Sequence, residues 1–376
     1  MGEAGLYFDW NATTPPHPDV IDAMVEVARS AWGNPSSVHA AGRRARAIVE
    51  DAREALAQAL AVDARDVIFT SGGTEANNLA LAHAGGLVTS RVEHPSVLRL
   101  AESLERAGRP VAWLPVRPDG QVDLEPLPAL AQRLPSGSWL ALQAANHETG
   151  VLQPIEAASA LARAHGLLLH VDAVQAFGKV ELPALSGAHS ISVSAHKIRG
   201  PKGIGALAIR GIAPPRPILL GGGQERGLRP GTLDPVLAAG FRVAVERAAR
   251  GGPERYRDLA PLRDRLERSV DGVAVVNGAG APRLPHVSNL SFPGMRGDEL
   301  VAALDLLGAR VSSGSACSAG TTEPSPGIEA MAGRERARSA LRISLGEGVS
   351  SIEIDSFLSL LARAVGRPLT ATSCSA

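Results

Sequence analysis

Between Leu167 and Asp172 the chain reads LLLHVD, a run that is almost continuously apolar and ends on an acid. Such continuity is typical of a β-strand that is buried on both faces, and we predict a strand over 167–171. Similar short runs recur along the chain at Val67–Thr70, Trp139–Gln143, 191–193 and 204–209. Helical periodicity occupies much of the remaining sequence, with helices predicted over 17–31, 40–61 and 74–83. This alternation predicts an α/β protein with a mainly parallel sheet.

A second, smaller α/β unit is predicted towards the C-terminal end. Gly251, Gly252 and Pro253 interrupt the regular pattern, and a charged helix is predicted directly after them, over 254–270. The rest of this unit has strands predicted at 273–276, 287–292 and 341–345 and helices near 297–308 and 350–364. We therefore predict a large domain over 16–255 and a small domain formed by 1–15 and 256–376, with a frayed tail after about 366.

The composition is that of an ordinary globular protein and argues against several kinds of partner. The 376 residues include 38 Lys and Arg against 38 Asp and Glu, so no net charge attracts nucleic acid. No apolar run approaches the ~20 residues that cross a bilayer, and the first residues have no basic or apolar leader. We therefore expect no membrane attachment and a cytoplasmic location. The ten histidines and two cysteines show neither metal-ligand spacing nor a disulfide framework, so no metal site is expected.

Lysine is rare in this chain, and one lysine has chemically suggestive neighbours. Lys occurs only at Lys179, Lys197 and Lys202, whereas all other basic residues are Arg. Arginine cannot replace a lysine whose amine must lose its proton and form an imine. Lys197 follows a predicted strand, between Ser194 and a Gly/Pro turn, and this placement favours a buried amine whose pKa is lowered by desolvation. An exposed loop lysine that pairs with acids is the less favoured alternative.

Two other segments end predicted strands with residues suited to a ligand. Residues 67–78 form a strand, a glycine-rich turn and a helix start near Thr74, where free N–H groups can cradle a phosphate. The segment lacks the patterns of NTP-binding and dinucleotide-binding loops, and a plain strand-to-helix turn fits it equally well. Asp172 follows a buried strand at the edge where ligands sit, and a carboxylate there needs a cationic partner. For such an aspartate taken alone, capping of the next helix is the favoured role.

Cys317 is the candidate nucleophile of the chain. It lies in residues 311–325, where small residues on both sides predict a mobile loop that presents the thiol instead of burying it. The other cysteine, Cys374, belongs to a small-residue tail. A passive loop cysteine ranks second, because structural cysteines are usually buried in apolar surroundings.

Together these segments resemble the cysteine desulfurases of the NifS/IscS type, in the class V aminotransferase branch of the fold-type I pyridoxal phosphate (PLP) enzymes. The likeness extends from residues 7–15 to 341–346 and includes 32–37, Glu93 with His94, and 221–232. It implies a large domain with a mainly parallel mixed sheet flanked by helices, and a smaller C-terminal α/β domain. The stretch that ends in Ser-Ala-Cys at Cys317 resembles the subgroup with a longer cysteine loop.

The resemblance implies PLP as the cofactor and assigns residues around it. Lys197 matches the lysine that binds the cofactor covalently, and Asp172 matches the carboxylate that keeps the pyridine nitrogen protonated. Gln175 matches the residue that hydrogen-bonds the phenolic oxygen, and His94 matches the imidazole stacked on the ring. The implied phosphate ligands are Thr74, Ser194, His196 and Thr232, the last supplied by the neighbouring subunit of a homodimer.

The resemblance also implies the reaction, in which L-cysteine yields L-alanine and a persulfide on Cys317. Arg342 matches the guanidinium that clamps the substrate α-carboxylate, with Asn34 as a helper. We expect a cation such as protonated His94 to increase the thiolate fraction of Cys317. The persulfide is then passed to an acceptor or scaffold protein, in iron–sulfur cluster assembly or other sulfur trafficking.

Two departures from the family pattern affect these expectations. His147 occupies a cofactor-contacting position where the family usually has a second Asn, and we expect its imidazole to donate the same hydrogen bond. The chain also stops soon after its last predicted helix, whereas housekeeping members carry a longer extension that docks a scaffold protein. The identity of the sulfur acceptor therefore stays open.

Other functions compete with a desulfurase. A selenocysteine lyase or a small-amino-acid aminotransferase of the same PLP branch is the nearest alternative, although an aminotransferase has no use for the loop thiol of Cys317. A non-catalytic sulfur-assembly subunit is the alternative from another class. It has no physical need for Lys197, Asp172 and Cys317 together.

Overall fold

The structure, a computed structural model, describes residues 5–314 and 324–369. Cys317 and Cys374 lie outside the described residues. In the described ranges, we find no helix that combines the length and the apolar character needed to cross a bilayer.

The β-strands form one large sheet and two small ones. In chain order they are β1 (Leu6–Tyr7), β2 (Val67–Thr70), β3 (Leu87–Ser90), β4 (Val111–Leu114), β5 (Trp139–Gln143), β6 (Leu168–Asp172), β7 (Ser190–Ser194), β8 (Gly205–Ile209), β9 (Val275–Val276), β10 (Val287–Ser291), β11 (Ala309–Arg310) and β12 (Ala340–Ser344). The seven-stranded sheet has the order β2-β8-β7-β6-β5-β3-β4. Within it, β8 is antiparallel to both neighbours and the other pairs are parallel, which confirms the predicted mainly parallel mixed sheet.

Helices cover both faces of the large sheet and also pack against the smaller sheets. In chain order they are α1 (Pro18–Ser30), α2 (Ala40–Leu60), α3 (Gly73–Leu81), α4 (Pro95–Arg106), α5 (Leu127–Ala131), α6 (Ile155–Ala164), α7 (Pro235–Ala249), α8 (Gly252–Arg257), α9 (Ala260–Ser269), α10 (Gly297–Leu306), α11 (Pro326–Ala332), α12 (Arg334–Arg338) and α13 (Ser351–Val365). Local signals set several of their ends. Helix α13, for example, begins with a capping box in which Ser350 and Glu353 satisfy each other's backbone N–H groups, and it ends at Gly366 with a φ of 65°.

The continuous apolar character of the central strands follows from burial on both faces. Adjacent residues of β2 illustrate this, because Ile68 packs on one side of the sheet with Leu79 and Leu207. Phe69 points to the other side, into a cluster that also contains Leu169. An alternating pattern would leave one face polar, so the apolar runs were a correct signal for a two-sided sheet.

The C-terminal part has a hydrophobic cluster of its own. Its antiparallel sheet has the order β12-β10-β9, and β1 pairs with β11 beside it. Phe8, from the start of the chain, packs edge-on against Phe357 of α13 with ring centroids 5.1 Å apart. Both residues belong to the cluster of the C-terminal part. The two predicted domain boundaries themselves stay a prediction.

Several sequence predictions were wrong in detail. The single helix over 254–270 is broken into α8 and α9, because Pro261, in the first turn of α9, has no N–H with which to continue the hydrogen bonds of α8. The strand over 273–276 is shortened to Val275–Val276 by a turn in which Gly272 adopts a φ of 73°. The strand at 167–171 is shifted by one residue, so Asp172 is the last residue of β6.

Candidate active site

A cavity of about 180 Å³ lies at the carboxyl ends of the parallel strands of the large sheet. This edge of an open α/β sheet is where ligands usually bind. Several predicted site residues line it, namely Lys197, Asp172, Gln175, His94, His147, Thr74, Ser194 and His196. Their positions follow from the topology, since β2, β5, β6 and β7 all end here.

At one end of the cavity, Asp172 is held by two donors. Its Oδ2 accepts a hydrogen bond of 2.7 Å from Asn77 Nδ2, and its Oδ1 accepts one of 3.0 Å from the backbone N–H of Val174. The side chain of Asn77 is 1% exposed and also donates to Ser96 Oγ at 2.8 Å. Asn77 was missed in the sequence, because an asparagine one turn into a helix carries no signal of a partner 95 residues away.

His170 stands behind this pair and orients Asn77. Because Asn77 directs its amide nitrogen to Asp172, its Oδ1 faces His170 Nε2, at 3.0 Å. The neutral ring therefore carries its proton on Nε2, and Nδ1 accepts from Ser190 Oγ at 2.8 Å. Burial lowers the pKa of His170 to about 4, against a smaller opposing effect of Asp172.

This buried histidine makes the stability of the fold depend on pH. The ordinary pKa of about 6.5 applies to the unfolded chain, which therefore takes up the proton first as the pH falls. The contribution of the neutral His170 ring to the free energy of unfolding is fully present above about pH 6.5. It is lost as the pH falls through about 4, and it amounts to about 3 kcal/mol. Between these pH values the unaltered chain should lose about 3 kcal/mol of its free energy of unfolding through His170. In His170→Gln this contribution should be absent, and urea titrations at several pH values measure the difference.

The exposed His83 provides the matched control for that experiment. His83→Gln should keep the pH dependence of the unaltered chain, since it leaves the His170 ring and its hydrogen-bond partners in place. An identical pH dependence in His170→Gln and the unaltered chain would contradict the assignment of His170 as a buried neutral ring.

Lys197 lies beside the cavity and is held by the N-terminal segment. Its Nζ donates to the backbone oxygens of Asn11, at 2.5 Å, and Ala12, at 2.9 Å. The side chain is half-buried, whereas the sequence predicted a buried one, because the cavity itself exposes it. Asn11 was also missed in the sequence, although its side chain is 1% exposed and it joins the two parts of the molecule at this site.

The opposite end of the cavity is formed by the start of α3 and the end of β7. The first N–H groups of a helix have no partners within it, and the cap of α3 is Gly72, not Thr74 as predicted. A Cβ on Gly73 would lie 2.6 Å from Val174 Cγ2, so glycine keeps this approach open. Ser194 Oγ is buried and has no hydrogen-bond partner within the described residues. Thr74 lines the same end and is exposed.

His196 shares this end of the cavity and is neutral. Burial, together with the smaller effect of nearby cations such as Lys197, lowers the pKa of His196 to about 3. Its Nδ1 lies 3.1 Å from Thr13 Oγ1. It can therefore donate or accept a hydrogen bond without adding charge.

Two imidazoles form the wall between these ends. The rings of His94 and His147 meet edge to face, with centroids 5.3 Å apart. The prediction of a protonated His94 is wrong, because desolvation and Lys197 lower its pKa against the raising effect of Asp172. His94 Nδ1 accepts from the backbone N–H of Ser96, so the neutral ring carries its proton on Nε2.

His147 is buried even more completely than His94. Desolvation lowers the pKa of His147 well below its usual range. Its Nδ1 has no hydrogen-bond partner within the described residues, and the side chain is 8% exposed. A hydrogen bond from this ring to the cofactor stays a prediction.

Arg342 lies on β12, next to the cavity wall. Its guanidinium donates to Asp9 Oδ1 at 2.5 Å and to the backbone oxygen of His147 at 3.1 Å. The side chain is 2% exposed, and Nε has no partner among the described residues. Arg342 thus places a buried cation from the C-terminal part behind His147, although it does not itself line the cavity.

Of the remaining predicted residues, Asn34 and Thr232 do not line this cavity. Asn34 is exposed and its Oδ1 accepts from the N–H of Ser36, 2.9 Å away, in the turn before α2. Thr232 is exposed and lines a different depression, beside Arg229. Cys317 lies outside the described residues. In the described part of the chain, no group of three or more His, Cys, Asp or Glu side chains is arranged to hold a metal ion.

The chemistry of the cavity fits PLP. The helix start and the unpartnered Ser194 Oγ suit a phosphate, and Asp172 provides the anion that a protonated pyridine nitrogen requires. Lys197 provides an amine within the same cavity, and His94 provides a ring to stack on. The cavity therefore offers groups for the phosphate, the ring and the aldehyde of the cofactor.

Comparison with known proteins agrees with this chemistry. The sequence profile "Aminotransferase class-V" matches residues 6–357. An IscS-like cysteine desulfurase of Mycobacterium tuberculosis is 40% identical over 380 aligned residues, which cover 96% of each chain. A solved NifS-like protein from Rickettsia africae has a TM-score of 0.88 at 30% identity and covers 96% of this chain and 99% of its own. A structure titled "SspA in complex with cysteine" has a TM-score of 0.78 at 30% identity, covering 91% of this chain and 99% of its own.

The resemblance to NifS/IscS proteins is thus confirmed over nearly the whole length. It includes the strands that surround the cavity and the segment that carries Arg342. This chain belongs to the aminotransferase class-V family of PLP-dependent enzymes.

Proposed function

We propose that this chain is a cysteine desulfurase, which converts L-cysteine and the thiol of Cys317 into L-alanine and a persulfide. The observation that carries the proposal is the single cavity that combines Lys197, Asp172 and a phosphate cradle at the start of α3. The curated relative from M. tuberculosis, named an IscS-like cysteine desulfurase, supports the reaction. The solved relative in complex with cysteine supports the substrate.

The residues of the cavity divide the chemistry among them. When bound, PLP supplies an aldehyde for the substrate amine and a ring that accepts negative charge from the substrate Cα. Asp172 keeps the pyridine nitrogen protonated, and Asn77 keeps the carboxylate of Asp172 in place. Lys197 Nζ, once the substrate amine has replaced it, takes the proton from Cα. Neutral His94 contributes its ring face and an Nε2–H donor, not a positive charge.

Sulfur transfer is assigned to Cys317. Its thiolate attacks the sulfur of the substrate, so a new S–S bond forms while the bond from sulfur to Cβ breaks. The electron pair of the broken bond stays on carbon, which takes a proton and becomes the methyl group of alanine. One cysteine and one thiol thus give one alanine and one persulfide, with no added oxidant or reductant.

We assign the substrate α-carboxylate to Arg342. Its guanidinium is buried beside His147 and retains an Nε donor without a partner in the described residues. A planar guanidinium suits bidentate binding of a carboxylate, and the hydrogen bond to Asp9 keeps it oriented. Asn34 as a helper to Arg342 stays a prediction.

Partners and location complete the proposal. We propose a cytoplasmic enzyme that passes the persulfide sulfur to an acceptor or scaffold protein. The names of the relatives, which include a cysteine desulfurase IscS from Dictyoglomus turgidum, support a role in iron–sulfur cluster assembly.

We also propose that the chain is a homodimer in which Thr232 reaches the phosphate of the neighbouring subunit. Thr232 is exposed and lines a depression separate from the cavity of its own chain. Large apolar side chains are exposed as well, among them Trp32 at 79%, Val38 at 83% and Leu220 at 90%. Burial of such side chains between two subunits would remove them from water.

A mixed dimer tests whether Thr232 acts across the subunits. Thr232→Asp should weaken PLP binding, because it places a negative charge beside the phosphate, and Lys197→Ala should inactivate its own site. If each site combines Lys197 of one chain with Thr232 of the other, a co-expressed dimer of the two variants contains one intact site. We expect it to regain roughly half of the unaltered activity per dimer, whereas each variant alone stays inactive. Failure of the mixed dimer to exceed the variants alone would place Thr232 outside the neighbouring site.

The proposed function is tested by product analysis. The PLP-loaded chain is incubated with L-cysteine and a thiol reductant, and alanine and sulfide are both quantified. A desulfurase yields the two in equal amounts, and Cys317→Ser keeps the cofactor absorbance but loses both products. After addition of a 2-oxo acid, formation of 3-mercaptopyruvate and of the matching new amino acid in place of alanine and sulfide would indicate an aminotransferase. Turnover of selenocysteine but not of cysteine would indicate a selenocysteine lyase. Undiminished alanine formation by Cys317→Ser would show that this thiol is not the sulfur acceptor.

A further inference from the structure

The reaction described above leaves one buried lysine without a role. Lys179 follows β6 by a short turn, and its side chain is 1% exposed. Burial lowers the pKa of Lys179 well below its usual range, and Lys197 and Arg342 lower it further. Lysine is almost never fully buried unless it is paired. The position of Lys179 therefore calls for an explanation.

Pairing with an acidic side chain does not explain the burial of Lys179. The titratable and charged groups that interact electrostatically with Lys179 are two cations, two imidazoles and a phenol. They are Lys197, Arg342, His196, His286 and Tyr256. No described acid contributes to the shift of its pKa. The Nζ atom of Lys179 carries hydrogens in either protonation state, so it requires an acceptor among the neutral groups around it.

The hydrogen bond that Lys179 donates goes to the predicted PLP ligand Gln175. Lys179 Nζ lies 3.1 Å from Gln175 Oε1. On the other side of the same amide, Gln175 Nε2 donates to the backbone oxygen of Asn11 at 2.9 Å. A backbone carbonyl accepts only, so this contact requires the nitrogen of the amide on the Asn11 side.

The contact with Asn11 sets the orientation of the amide, and the hydrogens of Lys179 Nζ favour the same orientation because they need an acceptor. After a rotation of 180°, Oε1 would face the oxygen of Asn11, and Nε2 would lose the acceptor. In the observed orientation, the Asn11 oxygen takes one of the two hydrogens on Nε2. The second hydrogen stays available on a side chain that lines the cavity.

We propose that Lys179 is a positioning residue, which fixes the Gln175 amide so that it offers an N–H and not an oxygen to the phenolic oxygen of PLP. The inference rests on the proposed function, in which Gln175 is the ligand of that oxygen. Without Lys179, Asn11 alone orients the amide. The Gln175 Oε1 atom can then turn towards the anionic phenolic oxygen of PLP, which repels it.

The test is the pH dependence of the absorbance of the bound cofactor. A donor to the phenolic oxygen favours the deprotonated, more negative form, so its loss raises the midpoint of the titration. We expect Lys179→Met, which keeps an apolar chain of similar length, to raise the midpoint by about one pH unit. Gln175→Ala should produce a similar shift. The exposed Lys202 provides the control, and Lys202→Met should leave the midpoint unchanged.

A double variant, Lys179→Met with Gln175→Ala, separates an effect of Lys179 through Gln175 from a direct effect of Lys179 on the cofactor. If Lys179 acts through Gln175, Lys179→Met in the Gln175→Ala background adds no further shift. Additive shifts, or an unchanged midpoint in Lys179→Met, would overturn the proposal while leaving the desulfurase intact. An unaltered chain without any cofactor band would overturn the proposed function and this inference together. Circular dichroism checks folding, and Lys179→Leu replaces Lys179→Met if the latter does not fold.

Discussion

Replacing Lys197 with alanine is expected to remove the covalently held cofactor and to lower turnover by at least ~10³-fold. The loss is large because the same amine anchors PLP and then takes the Cα proton. Neither of the other lysines can substitute, since Lys179 is buried against Gln175 and Lys202 is exposed on the following turn. Absorbance spectra and turnover of the purified variant measure both effects.

Lys202→Ala is the matched control for that variant. Lys202 lies five positions further along the chain and does not line the cavity. It should keep the absorbance and the activity of the unaltered enzyme. An Lys197→Ala variant that retains the absorbance band would contradict the assignment of Lys197.

Replacing Asp172 with alanine is expected to impair cofactor binding and turnover together. Loss of the carboxylate allows the pyridine nitrogen to lose its proton, so the ring accepts charge less well. We expect the PLP dissociation constant to rise at least ~10-fold and turnover to fall ~10³-fold. Equilibrium dialysis with PLP and steady-state kinetics measure the two effects separately.

Asp172→Asn distinguishes the charge from the shape of the side chain. The amide fills the same space, and its oxygen can still accept from the N–H of Val174, which Asp172 bonds at 3.0 Å. If charge is what matters, Asp172→Asn folds normally and loses about as much turnover as Asp172→Ala. Normal activity in either variant would remove Asp172 from the site.

The sequence predicted the sheet well because burial on both faces leaves a local mark. The apolar runs at Val67–Thr70 and Trp139–Gln143 coincide with β2 and β5. The helix predicted over 254–270 failed although the signal against it was local. Pro261 has no N–H to donate to a helical hydrogen bond, so the sequence itself marks the first turn of α9.

The site was predictable to the extent that its chemistry requires particular residue types. Lys197 and Asp172 carry such requirements, and the topology brings them to one cavity. Asn11 and Asn77 carry none, because their roles depend on partners in other elements. The charge state of His94 could not be predicted either, since it depends on how completely neighbouring residues exclude water.

Lys179 is an intermediate case. The sequence shows that lysine is rare in this chain, but the residue type alone does not distinguish an exposed amine from a buried one. Only the packing around Gln175 and Asn11 gives it a specific role.

The most direct measurement of the central claim is to locate the lysine that carries the cofactor. Borohydride makes a lysine–PLP linkage permanent, and digestion with mass spectrometry then distinguishes the three lysines at 179, 197 and 202. The account predicts that the phosphopyridoxyl group is found on Lys197, and that adding L-cysteine before the reductant releases this lysine. A label on Lys179 or Lys202, or a chain that takes up no PLP, would contradict it.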